Sequence, residues 1–206
     1  KLLNNKKIIL ENYNKKKFEK VIKLGKKFLK TNNDFQILYL LGLTYLTLKN
    51  YLEAEKFFKN IILLKPNAEN YYIYGNIHKQ LENYSEASKN FLKAINLKSD
   101  YSEAYNNLGN TKFKLGFIDE AVENYQKAIK YDPKNVPAYF NLAHVYSEGK
   151  NFDHLKKVLH KVLKIDEKNT TALNDLGYLN LILGNVDEGR KLFEKVIDID
   201  SGHIRA

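Results

Sequence analysis

Cysteine, methionine and tryptophan are absent from this 206-residue chain, and arginine occurs only twice, as Arg190 and Arg205. Without cysteine there are no disulfides and no thiolate metal sites, although no compartment is assigned by that; the cytoplasm is favoured by default. Even the start residue is missing. The chain opens Lys1-Leu2-Leu3, so an upstream piece, a signal peptide among the options, is expected to have been removed. Two arginines leave little for base readout, which argues against specific nucleic-acid recognition. No apolar run approaches the roughly 18 residues of a membrane span, which argues against a membrane protein.

What is abundant is lysine, asparagine, isoleucine and tyrosine, whose codons are A+T-rich. That composition reads as coding bias and weakens any argument from lysine or asparagine abundance. Hydrophobic content of 44% with 28% charged residues is ordinary for a folded chain.

A small residue recurs at a near-constant interval: Gly42, Gly75, Gly109, Ala143 and Gly177, at steps of 33, 34, 34 and 34. Each follows an apolar residue (Leu41, Tyr74, Leu108, Leu142, Leu176). Self-similarity at this period marks a helical repeat array. The clearest repeat, 102–135, accommodates helices at about 102–115 and 118–131 around a turn at Leu115–Asp119. Tyr105, Leu108, Gly109 and Phe113 on the first helix, and Ala121, Tyr125, Ala128 and Ile129 on the second, follow i, i+3, i+4 spacing. The small Gly109 and Ala121 are expected where two backbones approach, and Pro133 is expected to stop the second helix. The same template fits Leu38, Leu41, Gly42, Tyr45, Ala54, Phe58 and Pro66, and again Tyr71, Tyr74, Gly75, Ala87, Phe91 and Ala94. His78, Lys112 and Asn180 depart from it at the tyrosine position, and Leu155 and Gly189 at the alanine position. The expected repeats are 1–34, 35–67, 68–101, 102–135, 136–169 and 170–203 in a single array. In the first, a convincing second helix (Phe18, Val21, Ile22, Gly25, Phe28, Leu29) follows a weakly patterned helix at about 2–13. Ser201–Ala206 reads as the opening of a further repeat, so the chain is expected to be a fragment of a longer protein.

This pattern resembles the tetratricopeptide repeat family over nearly the whole chain. The resemblance implies an all-α solenoid of helical hairpins, a right-handed superhelix of about six repeats. Its first helices would line a concave groove that binds an extended peptide or a partner helix. The groove positions it implies are Tyr39, Leu43, Tyr72, Asn76, Asn107, Asn110, Phe140, Asn141, His144, Asn174, Asp175 and Tyr178, with Leu40, Leu46, Ile73 and Asn106 beside them. Asn107, Asn141 and Asp175 share one register position. Such a ladder of amides can donate and accept at once and so hold a peptide backbone; it resembles the asparagine ladder in the repeats of O-linked N-acetylglucosamine transferase, and Asp175 breaks it. The carboxylate clamp of chaperone-binding members lacks its cations here. Tyr71, Tyr105 and Tyr139 fall at packing positions, whereas Tyr39, Tyr72 and Phe140 are better binding candidates.

The charge is lopsided. Residues 1–31 hold eleven lysines against Glu11 and Glu19, while the whole chain carries +10. Lys16, Lys20, Lys23, Lys27 and Lys30 fall at spacings of 4, 3, 4 and 3. They make one helical stripe roughly 20 Å long, which would suit contact with an anionic surface or simply a solvated convex face.

No catalytic constellation is present. The histidines (His78, His144, His154, His160 and His203) share no partner motif, no glycine loop cradles phosphate, and Asp153, Asp187 and Glu188 read as helix-start residues. No cofactor and no metal are expected. The leading expectation is a non-catalytic protein-interaction scaffold. The alternative is the substrate-recruiting arm of a larger enzyme, such as a glycosyltransferase or sulfotransferase. Self-association through uncapped ends is a third option.

Overall fold

The computed structural model describes residues 2–204; Lys1, Arg205 and Ala206, on which part of the reading of the chain ends falls, lie outside the described residues. Among the described residues there are twelve α-helices and no strand. The chain divides into two compact bodies, Lys1–Leu115 and Gly116–Ala206. The first holds α1 (Leu2–Asn14), α2 (Phe18–Leu29), α3 (Phe35–Thr47), α4 (Tyr51–Leu64), α5 (Ala68–Gln80), α6 (Tyr84–Leu97) and α7 (Ser102–Lys114). The second holds α8 (Ile118–Tyr131), α9 (Val136–Glu148), α10 (Phe152–Ile165), α11 (Thr170–Ile182) and α12 (Val186–Ile204). The helices expected at 102–115 and 118–131 are found within a residue of those bounds. Residues 201–204, expected to open another repeat, instead continue α12.

Each helix packs on its neighbours in sequence within its body. In the first body α1 also touches α3, and α5 touches α7, so alternate helices share a face. The stripes predicted from spacing are what is buried. Val21, Phe28, Ile37 and Leu41 form one cluster, Tyr45, Phe58, Ile61, Tyr74 and Ile77 the next, and Phe91, Ala94, Ala104 and Leu108 a third. Burying each of the large ones stabilises by about 1.5–3 kcal/mol. Leu142, Leu159, Val162, Leu173 and Leu176 do the same in the second body. Helix α1 contributes only Ile9 to the buried set, which matches its weak pattern.

At three of the recurring glycines it is a side chain that keeps the position small, where backbone approach was expected at Gly109 and Ala121. A Cβ at Gly42 would come within 2.9 Å of the Phe58 ring, at Gly75 within 2.7 Å of Phe91, and at Gly177 within 2.8 Å of Phe193. The partner helix's aromatic ring, not its backbone, excludes a side chain there. Backbone approach of the expected kind is found at Gly189, whose Cβ would lie 3.0 Å from the Gly177 carbonyl oxygen. At the same two register positions the fifth repeat holds Ala143 and Leu159, both buried: a larger residue on one helix, a smaller one on the other.

Asparagine earns structural use beyond coding bias. Asn50, Asn67, Asn135, Asn151 and Asn169 cap α4, α5, α9, α10 and α11, each side-chain oxygen accepting from a backbone N–H in the first turn. Asp34 does so for α3. Asp153 is the second residue of α10, in the first turn as expected, where its charge offsets the helix dipole while Asn151 supplies the cap. The stop attributed to proline is made by aspartate as well. Asp132 and Asp166 each accept from the N–H two residues on, at 3.0 and 3.1 Å, and only Asp132 is followed by proline.

Candidate functional site

Among the described residues, no group of three or more histidine, cysteine, aspartate or glutamate side chains has the geometry to hold a metal ion, and no helix is long and apolar enough to cross a membrane. The surface made by the first helices of the hairpins is where chemistry gathers, in each body separately.

In the first body this surface is carried by α3, α5 and α7. Tyr39 is half-buried, stacked on Phe35 at 5.9 Å between ring centroids and edge-on to Phe58 at 5.8 Å. Burial raises its hydroxyl above the ordinary tyrosine value. Tyr72 is likewise half-buried, between Phe91 and Tyr101. Burial, with Tyr72 adding to it, pushes the Tyr101 hydroxyl up to about 12. Both candidate tyrosines thus pack as well as present a surface. Leu43 is half-buried beside them, and Leu40, placed at the groove by register, is buried in the core.

Asn107 is the centre of a polar network. Its Nδ2 donates to the Tyr72 hydroxyl at 3.0 Å and to Asn76 Oδ1 at 2.9 Å, while Lys79 Nζ donates to its Oδ1 at 3.1 Å. Both ends of the amide are engaged inside the chain, and the network ties α5 to α7. Lys79 escaped the sequence reading because lysine is so common. It is half-buried, has no carboxylate partner, and desolvation lowers its pKa. Asn110 is half-buried and hydrogen-bonded or otherwise engaged, as is Asn141 in the second body.

In the second body α9, α10 and α11 enclose a cavity of about 460 Å³. Four of the residues singled out by register line it: Phe140, His144, Asp175 and Tyr178. Asn141 and Asn174 are half-buried and stay outside it. Its apolar floor is Phe152, Leu155, Leu179 and Ile182, none of them foreseen. The signal was available in Leu155, a large side chain at a position where four of the other five repeats hold alanine or glycine. Tyr178 is 64% exposed and stands edge-on to Phe193 at 5.3 Å. Asp175 is open to solvent on one side and has no ion-pair or hydrogen-bond partner among the described residues; the apolar surroundings on its other side raise its carboxyl above the ordinary value.

Of the expected lysine stripe, Lys20, Lys23 and Lys27 lie on α2 and Lys30 is its C-cap, whereas Lys16 falls in the turn before it, at positive φ, and is not part of the helix. Lys16, Lys20, Lys23, Lys27 and Lys30 are all exposed, and none forms an ion pair among the described residues. Lys26, off the stripe, pairs with Glu53 and lies 5.3 Å from the Tyr45 ring centre. On α4, α6 and α8, by contrast, Lys56, Lys89 and Lys127 each find a glutamate one turn away.

Family models described as TPR repeat match residues 75–116 and 109–148, and those described as tetratricopeptide repeat match 35–67, 136–169 and 170–203. The chain belongs to the tetratricopeptide repeat family. Its hairpins are those of a TPR solenoid, a protein-interaction scaffold fold. Solved structures agree on the fold. The C-terminal part of a TPR repeat-containing protein from Cytophaga hutchinsonii superposes with a TM-score of 0.81 at 16% identity, over 98% of this chain and 80% of that one. MamA from Desulfovibrio magneticus RS-1 gives 0.72 at 18%, over 83% and 97%. YrrB, described as a TPR protein with an unusual peptide-binding site, gives 0.70 at 20%, over 84% and 90%. No curated relative matches the chain in sequence.

Proposed function

We propose that this TPR chain binds an extended segment of a partner protein on its first-helix surface, with the α9–α11 cavity as the principal anchor. The observation that carries this reading is the convergence of Phe140, His144, Asp175 and Tyr178, four of the groove positions implied by the family pattern, on one open apolar cavity. Concave, mostly apolar sites with a few polar groups are the usual places for a ligand side chain. The peptide-binding site named for YrrB supports the mode of use. In the first body Tyr39, Leu43 and Tyr72 supply flat apolar area. Asn76 and Asn107 work from within by fixing the spacing of α5 and α7, while Asn110, Asn141 and Asn174 offer amides along the path.

A random decapeptide library panned on the full chain tests this. Enriched peptides should lose at least tenfold in affinity on Phe140→Ala and on Tyr178→Ala, and be unmoved by Lys59→Ala on the exposed side of α4. Peptides indifferent to the first two substitutions would refute the anchor.

A second surface has its own observation. The five exposed lysines on and flanking α2, none ion-paired among the described residues, suit contact with a polyanionic surface, at a gain that salt should erase. Replacing all five by glutamine should advance elution from heparin markedly more than the same change at Lys156, Lys157, Lys161 and Lys164 of α10. Equal shifts would reduce the stripe to a solvated face.

A further inference from the structure

The cavity of the second body has a composition that selects its occupant. Among its lining residues there is no lysine or arginine, although the chain as a whole carries +10. Its one carboxylate, Asp175, has no ion-pair or hydrogen-bond partner among the described residues, and the rings of Phe140, Phe152 and Tyr178 line the same cavity together with the His144 imidazole. Leu179 and Ile182 extend its wall with apolar surface, and Ile182 is 66% exposed. A cation is attracted to the face of an aromatic ring and to a carboxylate together, more strongly where water is partly excluded. An apolar wall next to that pair takes a methylene stem.

We infer that this cavity accepts an arginine side chain from the bound partner segment, the stem along Leu179 and Ile182 and the guanidinium between the rings and Asp175. This deepens the peptide reading above and rests on it. Arginine is preferred to lysine because its planar, weakly hydrated guanidinium can stack on a ring and offer a two-pronged donor to the carboxylate; an ammonium holds its water more tightly and lacks the plane. Acidic and purely aliphatic anchors are disfavoured, the first by Asp175 and the second by leaving that carboxylate desolvated without a partner. The raised carboxyl of Asp175 is consistent with a group that gains on meeting a cation.

The peptides enriched on the full chain provide the test. Arginine should be over-represented among them. For each binder, arginine→citrulline, which keeps the shape and removes the charge, should weaken binding at least tenfold, and arginine→lysine by less. Asp175→Asn should weaken the arginine peptides tenfold and leave the citrulline peptides where they were, with an unchanged circular-dichroism melt. Binders that need Phe140 and Tyr178 but contain no arginine, or that ignore Asp175→Asn, would overturn this inference and leave the peptide reading standing. Failure to enrich any peptide dependent on Tyr178 would remove both.

Discussion

Gly75 and Phe91 act as one size-matched pair. A methyl group at Gly75 would sit 2.7 Å from the ring, so Gly75→Ala should destabilise the chain by about 1–3 kcal/mol, as overpacked cores do. The same change made together with Phe91→Leu should cost less than the two changes summed, with a coupling of about 0.5–3 kcal/mol by urea unfolding. Strict additivity would show that the ring is not what keeps position 75 small. The natural precedent is the Ala143 and Leu159 pair of the fifth repeat. The periodicity of the glycines was legible in the sequence; their partner was not, because spacing along the chain does not say which atom fills the gap. His78 is the second residue of interest. It is buried at 6% exposure, edge-on to Tyr74, and its Nδ1 has no hydrogen-bond partner among the described residues. Burial lowers its pKa below the ordinary histidine value, with Glu55 and Glu86 opposing. A depressed folded pKa means that the unfolded chain takes up the proton first. The neutral-histidine contribution is therefore complete above about pH 6.5 and is lost as pH falls through the folded value. His78→Tyr, which restores the residue found at this register in Tyr45 and Tyr146, should flatten the melting temperature between pH 6.5 and 5. The carboxylates of Asp34, Glu53 and Glu86, held low by lysine partners, act only at more acid pH. An unchanged slope in the variant would acquit His78.

At the scale of the element, the turn inside each hairpin repeats as faithfully as the helices do. Lys16, Lys49, Glu82, Gly116, Lys150 and Gly184 all adopt positive φ, between 53° and 83°. Only two of the six are glycine, so the other four carry a Cβ in the left-handed region, where it costs roughly 1–2 kcal/mol. Glu82→Gly should relieve that cost against a smaller loss from the freer unfolded chain, for a net gain of about 0.5–1 kcal/mol. Thermal melting would show a rise; no rise, or a fall, would mean that the Glu82 side chain contributes more than its backbone costs. Helix positions were readable from the 3.6-residue pattern to within a residue, since burial enforces the period. The turns were readable only at Gly116 and Gly184. Where lysine or glutamate takes the left-handed turn, nothing in the residue type announces it. Asparagine caps were hidden in another way: an abundant residue looks uninformative until its position relative to the helix start is known.

At the scale of the molecule, the packing is local. Within each body every helix leans on its sequence neighbours, so the stability of a body should be close to a sum of repeat and neighbour terms. Hydrogen exchange read by mass spectrometry should then be graded within the first body. Amides of α1, which buries only Ile9, should exchange fastest, and those of α5 and α6 among the slowest. Uniform protection across that body would argue for one cooperative block instead. The candidate site divides the same way between legible and hidden. Register pointed to Phe140, His144, Asp175 and Tyr178 because the family pattern repeats every 34 residues. It missed Phe152 and Leu155 because they belong to the second helix, which the pattern assigns to the other side. It over-read Asn107, since a position shared with Asn141 and Asp175 says nothing of hydrogen bonds already made to Tyr72, Asn76 and Lys79.

An array of near-identical hairpins risks joining the wrong halves as it folds, since any first helix resembles every other. The glycine and ring pairs act as a key against this. Were α9 to meet α6 in place of α10, the methyl of Ala143 would collide with the Phe91 ring; were α5 to meet α10, Gly75 facing Leu159 would leave a void. The fifth repeat, with Ala143 and Leu159, and the first, with Ile9 and Gly25 at the same two positions, thus give an otherwise monotonous chain landmarks from which correct pairing can be counted.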